Sequence, residues 1–548
     1  MAIQRCDFVM SVSSTEADLP VDCGAEESAE GLPLVEKVGV AGICMAAAAA
    51  KPPGGGVSPT GGLLRAMMVT GSSNVVRVLL AIVRVKVLAV LLGPSGVGLL
   101  GIYNSLVTTV STIADLGLAS SGVRSIAAAQ GAPETLARVR RVLLLAGALQ
   151  GVVGMVFVWA LRVPLARWLT GSEAYAAPVG LMGIAVALTL IGGAQSALLR
   201  GLRKLGDLAR TSIAGAALCT ATGLWAVWYL GDSGLVWFVL VQPASTFVVA
   251  TYYVRRLPKP EASISTAKLF WEAWRPMAKL GAVFMLAGLG STATLLWTRS
   301  YITHALGLEQ AGLFAAVWGI TIQYIGILLT AMAGDYYPRL SEVMGDSKVM
   351  SALVNAQAQL ALALGGPVLL LMFGLAPWLL HLLYSAEFAD AAVVLQLQTV
   401  GNLFKLASWP LSFVLVAAAR SRTFLLLELS WNAAFAGLLQ LLLPLYGLTA
   451  AGMAFLGAYV LYFFLAHIGA RHTIGFRYSL WCRRIVYVQL IAGALAVPLF
   501  LLERSGQVWG CVILAGLVAS FSVRAYLSDP NARALARSRL ARARLIRK

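Results

Sequence analysis

From Leu63 onward the chain is a succession of apolar runs, each about twenty to thirty residues long and separated by short polar or basic segments. The first covers Leu63 to Leu92 and the second Gly98 to about Val123. Others follow at about 142–165, 175–199, 211–230, 233–254, 278–302, 310–334, 352–383, 389–418, 423–446, 449–469, 484–502 and 506–527. Strands are far shorter than this, whereas about twenty apolar residues in a helix cross a hydrocarbon core of about 30 Å. Lipid also forces each span to satisfy its backbone internally. The pattern therefore predicts an all-α polytopic membrane protein of about fourteen spans. Composition agrees, with 59% hydrophobic and 12% charged residues, against roughly 25% charged in ordinary soluble domains.

Residues 1–62 break the pattern. They carry Asp7, Glu16, Asp18, Asp22, Glu26, Glu27, Glu30 and Glu36, then the low-complexity runs MAAAAAKPPGGG and SPTGG, and cannot bury a core. They read as a disordered extension, or as sequence upstream of a true start at Met45 or Met67. The apolar run Val38 to Ala50 follows acids rather than bases, unlike a cleaved signal.

The net charge of +18 would point to nucleic acid in a soluble protein. Here Lys and Arg collect in alternate loops. Arg124, Arg138, Arg140 and Arg141, then Arg200, Arg203, Lys204 and Arg210, then six cations between Arg255 and Lys279, and later Arg420, Arg422, Arg471, Arg477, Arg483 and Arg484 share one side. Arg162, Arg167 and Arg504 fall on the other. Short cytoplasmic loops retain positive charge, so both termini are expected in the cytoplasm and no nucleic-acid partner is implied. The basic tail Asn531 to Lys548 is expected against the anionic inner leaflet, each charge contributing about 1 kcal/mol, or simply solvated.

Within LLGPSGVGLLGIYNS, Leu91 to Ser105, the residues Gly96, Gly98 and Gly101 have the spacing G-x-G-x-x-G. A dinucleotide-binding turn needs a buried strand before it and a soluble helix after it; both flanks here are of membrane length. An internal repeat supplies another reason for the glycines. At an offset of 306 − 92 = 214, Leu92, Gly93, Gly98 and Leu99 match Leu306, Gly307, Gly312 and Leu313. The same offset pairs Glu173, Ala177, Val179 and Leu181 with Glu387, Ala391, Val393 and Leu395. Gly96 and Gly101 are lost in the second copy, as Gln310 and Ala315, while Gly93 and Gly98 persist. Gly93 suits a helix terminus that needs a left-handed residue, and Gly98 suits close helix packing.

The repeat predicts two parallel six-helix bundles, 63–254 and 278–470, joined by a cytoplasmic linker at 255–277. An additional helix pair at 484–527 and a tail at 528–548 follow. Repeated bundles typify secondary transporters, whose substrate sits between the repeats. Asn104, Thr108, Ser111, Thr112 and Asp115 make one polar stripe at helical spacing inside the second span. Gln398, Asn402, Lys405, Trp409 and Ser412 make another in the tenth. Lipid penalises such faces, so both should point inward.

Deep cations are Arg77 and Arg84 on one face of the first span, Arg299 and Lys405, with Lys86 near enough to an end to snorkel; the deep acids are Asp115, Asp335 and Glu428. A cation at that depth costs roughly 2.5 to 3.5 kcal/mol. These charges either clamp the bundles together or line a cavity of positive sign for an anionic ligand, with an acid free to carry a coupling proton. Cys6, Cys23, Cys44, Cys219, Cys482 and Cys511 show no metal-site spacing. His304, His381, His467 and His472 lie near loop ends and read as solvated.

The stretch KVLAVLLGPSGVGLLGIYNS, Lys86 to Ser105, followed by DLGLASSGVRSIA from Asp115, resembles the start of Wzx-type O-antigen and lipid-linked oligosaccharide flippases, in the polysaccharide-transporter branch of the MATE/MOP superfamily. GLFAAVWGITIQYIGILLTAMAGDYYPRLSEV, Gly312 to Val343, resembles their eighth-span region. The resemblance covers about 63 to 470. It implies a V-shaped pair of bundles that passes an undecaprenyl-pyrophosphate-linked glycan across the bacterial inner membrane. It also implies a proton or sodium gradient in place of a cofactor, membrane lipid as surroundings and other polysaccharide-assembly proteins as partners. Under it, Arg77, Arg84, Asn104, Arg299, Asn402 and Lys405 become substrate candidates, and Asp115, Asp335 and Glu428 ion-coupling candidates. The helix pair at 484–527 departs from the usual twelve spans and keeps a lipid II flippase in view. A MATE-type drug antiporter and a membrane glycan polymerase also stay open; the first would want an acidic, aromatic cavity and the second a large extramembrane loop.

Overall fold

The computed structural model describes residues 59–258, 267–418, 420–496 and 504–530; the acidic N-terminal segment and the basic tail lie outside them. Within them the chain runs through α1 (Pro59–Asp115), α2 (Leu118–Ala128), α3 (Pro133–Ala160), α4 (Arg162–Thr170), α5 (Ala176–Gly201), α6 (Leu205–Leu230) and α7 (Gly234–Arg255). It continues through α8 (Ala267–Leu306), α9 (Leu308–Glu342), α10 (Ser347–Gly374), α11 (Ala376–Leu383), α12 (Ala392–Ala417), α13 (Ser421–Tyr446) and α14 (Thr449–Ile474). The pair α15 (Leu480–Ala496) and α16 (Arg504–Ser528) closes it. The fold is all-α, as the run lengths predict. Nine stretches of the described residues are long and apolar enough to cross a membrane, one of them, Leu205–Arg255, holding both α6 and α7. Of the other expected runs, 63–92 falls on α1, 98–123 on α1 and α2, 278–302 on α8 and the described part of 484–502 on α15.

Three runs are interrupted where the sequence pattern shows none. The second ends at Asp115, because Leu116 and Gly117 both take positive φ before α2 begins. The third breaks at Leu161 and the ninth at Leu375, each giving a short separate helix. Pro164 and Pro377 explain both breaks, since a proline lacks its amide hydrogen and is tolerated in the first turn of a new helix.

α1 is two helices joined at Gly93, whose φ of 63° and ψ of −169° lie in a region that glycine alone enters readily. Gly307, its repeat partner, joins α8 to α9 with φ 92° and ψ 170°. The same backbone break thus occurs twice, 214 residues apart. Five residues after each break the helices cross: a Cβ on Gly98 would overlap the Leu308 carbonyl oxygen and sit 2.9 Å from the Gly312 nitrogen. A Cβ on Gly312 would overlap the Pro94 carbonyl oxygen in turn. Gly98 and Gly312 therefore form the close crossing between the two halves.

Two further contacts near this crossing are reciprocal. Lys86 Nζ on α1 donates to the His381 carbonyl oxygen of α11 at 2.9 Å. Ser300 Oγ on α8, at the equivalent repeat position, donates to the Trp168 carbonyl oxygen of α4, which His304 Nε2 also meets at 2.8 Å. Both carbonyls belong to last turns, where a helix has no partners of its own. Each half caps the other's short helix. Toward the opposite ends of α1 and α8 the halves touch again, Gly117 against the Gly281 backbone.

The first half is cored by Tyr103, Leu106, Val186 and Phe238, and the second by Phe314, Tyr336, Phe388 and Phe455. The final pair is seated on α10 through polar groups: Asn355 Nδ2 donates to the Arg477 carbonyl oxygen and its Oδ1 accepts from the Ser479 amide, while Gln489 Nε2 donates to the Leu362 carbonyl oxygen.

Candidate functional site

A cavity of about 550 Å³ lies inside the first half, between α1, α5 and α7. Its α1 wall is the polar stripe Asn104, Thr108, Ser111, Thr112 and Asp115, with Thr189, Ser196 and Arg200 from α5 and Gln242 and Thr246 from α7 opposite. The i, i+4 geometry of a helix puts these side chains on one face, and facing a cavity spares them the penalty that lipid would impose. Thr108, Thr189 and Gln242 are exposed into it. Asp115 accepts a hydrogen bond from the Ala119 amide at 3.2 Å. Arg200 lies exposed at the end of α5.

The second half holds a different group. Lys405 Nζ on α12 stands 5.3 Å from the centre of the Tyr459 ring, and Tyr462 donates to Glu428 Oε1 at 2.7 Å. The Tyr459 and Tyr462 rings, 6.1 Å apart, stand between Lys405 and Glu428 in this chain of contacts. Asn432 Nδ2 donates to the Glu428 carbonyl oxygen at 2.8 Å, Trp431 and Phe455 pack against Tyr459, and Phe435 stacks on Trp431. Asn402, one turn before Lys405, is buried with neither amide atom hydrogen-bonded among the described residues.

The remaining cations lie apart. Arg299 Nη1 reaches across the junction of the halves to the Gly101 carbonyl oxygen and to Ser105 Oγ. Arg84 lies between α1, α6 and α7, its Nη1 3.6 Å from Cys219 Sγ and its guanidinium 5.7 Å from the centre of Phe238. Arg77 is exposed on α1. Asp335 falls on α9, its side chain outside the described residues. The structure thus places Asn104 and Asp115 in one cavity wall, and Lys405 and Glu428 on either side of the Tyr459 and Tyr462 rings, without gathering the cations in one place.

Arg200, Gln242, Thr246, Tyr459 and Tyr462 are absent from the sequence-derived candidates. The i, i+4 spacing of Gln242 and Thr246, and the i, i+3 spacing of the two tyrosines, were the available signals. Two histidines expected to be simply solvated are engaged, His304 at Trp168 and His467 stacked 5.4 Å from Tyr478. Tertiary contacts that no local pattern encodes account for both.

Two half-molecules with matched breaks at Gly93 and Gly307, crossing at paired glycines, define an all-α multi-pass membrane protein built from two repeats. Solved structures agree. A lipid II flippase, MurJ, in an inward closed conformation matches with a TM-score of 0.64 at 11% identity, covering 85% of this chain and 99% of that one. An inward-facing multidrug resistance MATE family transporter of the MOP superfamily matches with a TM-score of 0.61 at 17% identity, covering 76% and 96%. Residues 63–344, just over half of the sequence, match the family model described as polysaccharide biosynthesis protein, and the chain belongs to that family. A lipid III flippase from Escherichia coli (strain K12) is 23% identical over 415 residues, 74% of this chain and 97% of that protein.

Proposed function

We propose that the protein is a secondary-active flippase that moves a polyprenyl-pyrophosphate-linked oligosaccharide, an O-antigen or exopolysaccharide repeat unit, across the bacterial inner membrane by alternating access. The observation that carries this reading is the match to the lipid III flippase along nearly that protein's whole length, in a chain whose family is polysaccharide biosynthesis. With both termini cytoplasmic, the end held by Gly98, Gly312 and the Lys86 and Ser300 contacts faces the periplasm. The first-half cavity then approaches the cytoplasm at Asp115 and Arg200. Arg77 and Arg84 are the candidates for the pyrophosphate. Glu428, bonded to Tyr462, and Asp115, in the cavity wall, are the candidates for a coupling proton. The additional pair α15 and α16, together with the MurJ likeness, favours lipid II as the second substrate to test.

The test is leaflet translocation in proteoliposomes, using a labelled polyprenyl-pyrophosphate oligosaccharide and an imposed proton gradient. Gradient-sensitive, protein-dependent flipping is the expected result. Absence of flipping, with efflux of cationic dyes by the same preparation, overturns the reading.

A further inference from the structure

The two short helices at the Gly98 end, α4 and α11, are each met by a donor from the opposite half, and the donors differ in charge. At the His381 carbonyl oxygen of α11 the donor is the Lys86 ammonium. At the Trp168 carbonyl oxygen of α4 they are the Ser300 hydroxyl and the His304 ring, through Nε2 at 2.8 Å. A carbonyl oxygen only accepts, so Nε2 carries a hydrogen and a further proton must go to Nδ1. The last turn of a helix carries partial negative charge and favours a cation beside it. α4 closes at Gly171, with φ 75° and its amide returned to the Arg167 carbonyl oxygen. A Cβ on Gly171 would lie 3.3 Å from His304 Cε1 and 3.4 Å from Nδ1, so the ring lies against this terminus. His304 is exposed, and solvent protons reach it.

The charged side chains around it are few. α4 brings Arg162, which donates to the Trp159 carbonyl oxygen, and Arg167, which pairs with Glu173. α1 brings Lys86, and α9 brings Glu309 in its first turn. On α8 itself, Arg299 turns to Gly101 and Ser105. α2 and α3 carry their charges toward the opposite end, and those of α13, Arg422 and Glu428, lie well before its last turn. Of all these residue types, histidine is the one whose charge ordinarily changes between pH 5 and 8. Its repeat counterpart at 304 − 214 = 90 is Val90, so only one of the two caps is titratable. Acid gives α4 what α11 already has, a cation from the other half, and a charged donor bonds a carbonyl more strongly than a neutral one.

We propose that His304 is a pH-sensitive latch between the halves: protonated, it holds α4 to α8 and keeps the Gly98 end closed, and neutral, it lets that end open more readily. In the orientation given under the proposed function, on which the side alone depends, this end meets the periplasm and acid there favours closure. The latch proton stays on that side and is distinct from a coupling proton, for which Glu428 and Asp115 are the candidates.

The experiment measures the distance between two spin labels on the full-length protein, otherwise cysteine-free and reconstituted in liposomes without substrate. Ala174→Cys and Ala386→Cys carry the labels, both at exposed positions in the turns that follow α4 and α11 on opposite halves. With His304 intact, the fraction of molecules at the long, open distance should fall about fivefold from pH 8 to pH 5, the scale of a cation gained at a helix terminus. His304→Gln keeps an N–H donor that cannot be charged, and should hold the pH 8 fraction at both pH values. His304→Arg is a constant cation and should hold the pH 5 fraction at both. A distribution that ignores pH with His304 intact, a shift of the opposite sign, or a full pH response in His304→Gln overturns the latch. Because no substrate is present, a failure to flip any glycan overturns the flippase reading and leaves this result standing.

Discussion

Gly98 and Gly312 occupy equivalent positions in the two repeats, and each fills the space that the other's side chain would need. Their crossing brings α1 and α9 to backbone contact, the close approach that small residues permit between membrane helices. Gly98→Val or Gly312→Val should therefore abolish transport while the protein still reaches the membrane, because the halves can no longer meet at this end. Gly437, where an added methyl group would meet nothing within 4 Å, is the control: Gly437→Ala should be neutral, or stabilising by about 0.5–1 kcal/mol. Transport and membrane abundance measured side by side decide the matter. Normal transport by either valine variant refutes it.

The reciprocal caps should bias the conformational equilibrium. Each lost hydrogen bond is worth about 0.5–1.5 kcal/mol, a several-fold change in population. Lys86→Met combined with Ser300→Ala should open the Gly98 end more often. The readout is labelling of a cysteine placed at Ser105, in an otherwise cysteine-free protein, by an impermeant thiol reagent added from that side. Faster labelling is expected, and an unchanged rate rules the caps out as a brake.

Arg299 holds the same junction from the second half through the Gly101 carbonyl and Ser105. Arg299→Met leaves those acceptors unpartnered, at about 1–3 kcal/mol. Its thermal unfolding midpoint in detergent should fall, with Arg299→Lys falling less. If substrate protects the wild type but neither variant, Arg299 belongs to the binding site as well.

Glu428 and Lys405 supply a test of coupling. Glu428→Gln removes the carboxylate that Tyr462 bonds while the Lys405 ammonium stays over Tyr459, so it should reduce abundance as well as the response to a proton gradient. Glu428→Gln with Lys405→Met restores charge balance. Abundance should recover while gradient dependence stays lost. Recovery of both would assign Lys405 and Glu428 to structure.

The seat of the final helix pair is testable through stability. Asn355 both donates to and accepts from the backbone of the α14 to α15 connection. Asn355→Leu should make that connection the first site of proteolysis, and an unaltered cleavage pattern would show that apolar packing alone holds the pair.

The helical architecture and the repeat were legible because lipid imposes long apolar runs and because Gly93 and Gly307 occupy a backbone region closed to other residues. The polar stripe from Asn104 to Asp115 was legible for the same reason: few structures tolerate it except a cavity wall. The placement of the cations was not. Arg84, Arg299 and Lys405 look alike in the sequence, each a single charge in an apolar run. What separates them is the neighbour across the helix, Cys219, the Gly101 carbonyl or Tyr459, each more than fifty residues away in the chain. The breaks at Leu161 and Leu375 were hidden because both flanks are apolar and a first-turn proline leaves the run of hydrophobic residues intact.

The Ser300 contact with Trp168 also bears on how the protein is made. The last turn of α4 is complete only once α8 exists, and 300 − 168 = 132 residues separate the two. At roughly 5–20 residues per second of synthesis, an emerging first half waits on the order of ten seconds with that carbonyl unclaimed. A ribosome paused between α4 and α8 would thus leave a half-protein whose short helix is unfinished. Quality-control proteases would recognise that state, and neither half expressed alone should accumulate.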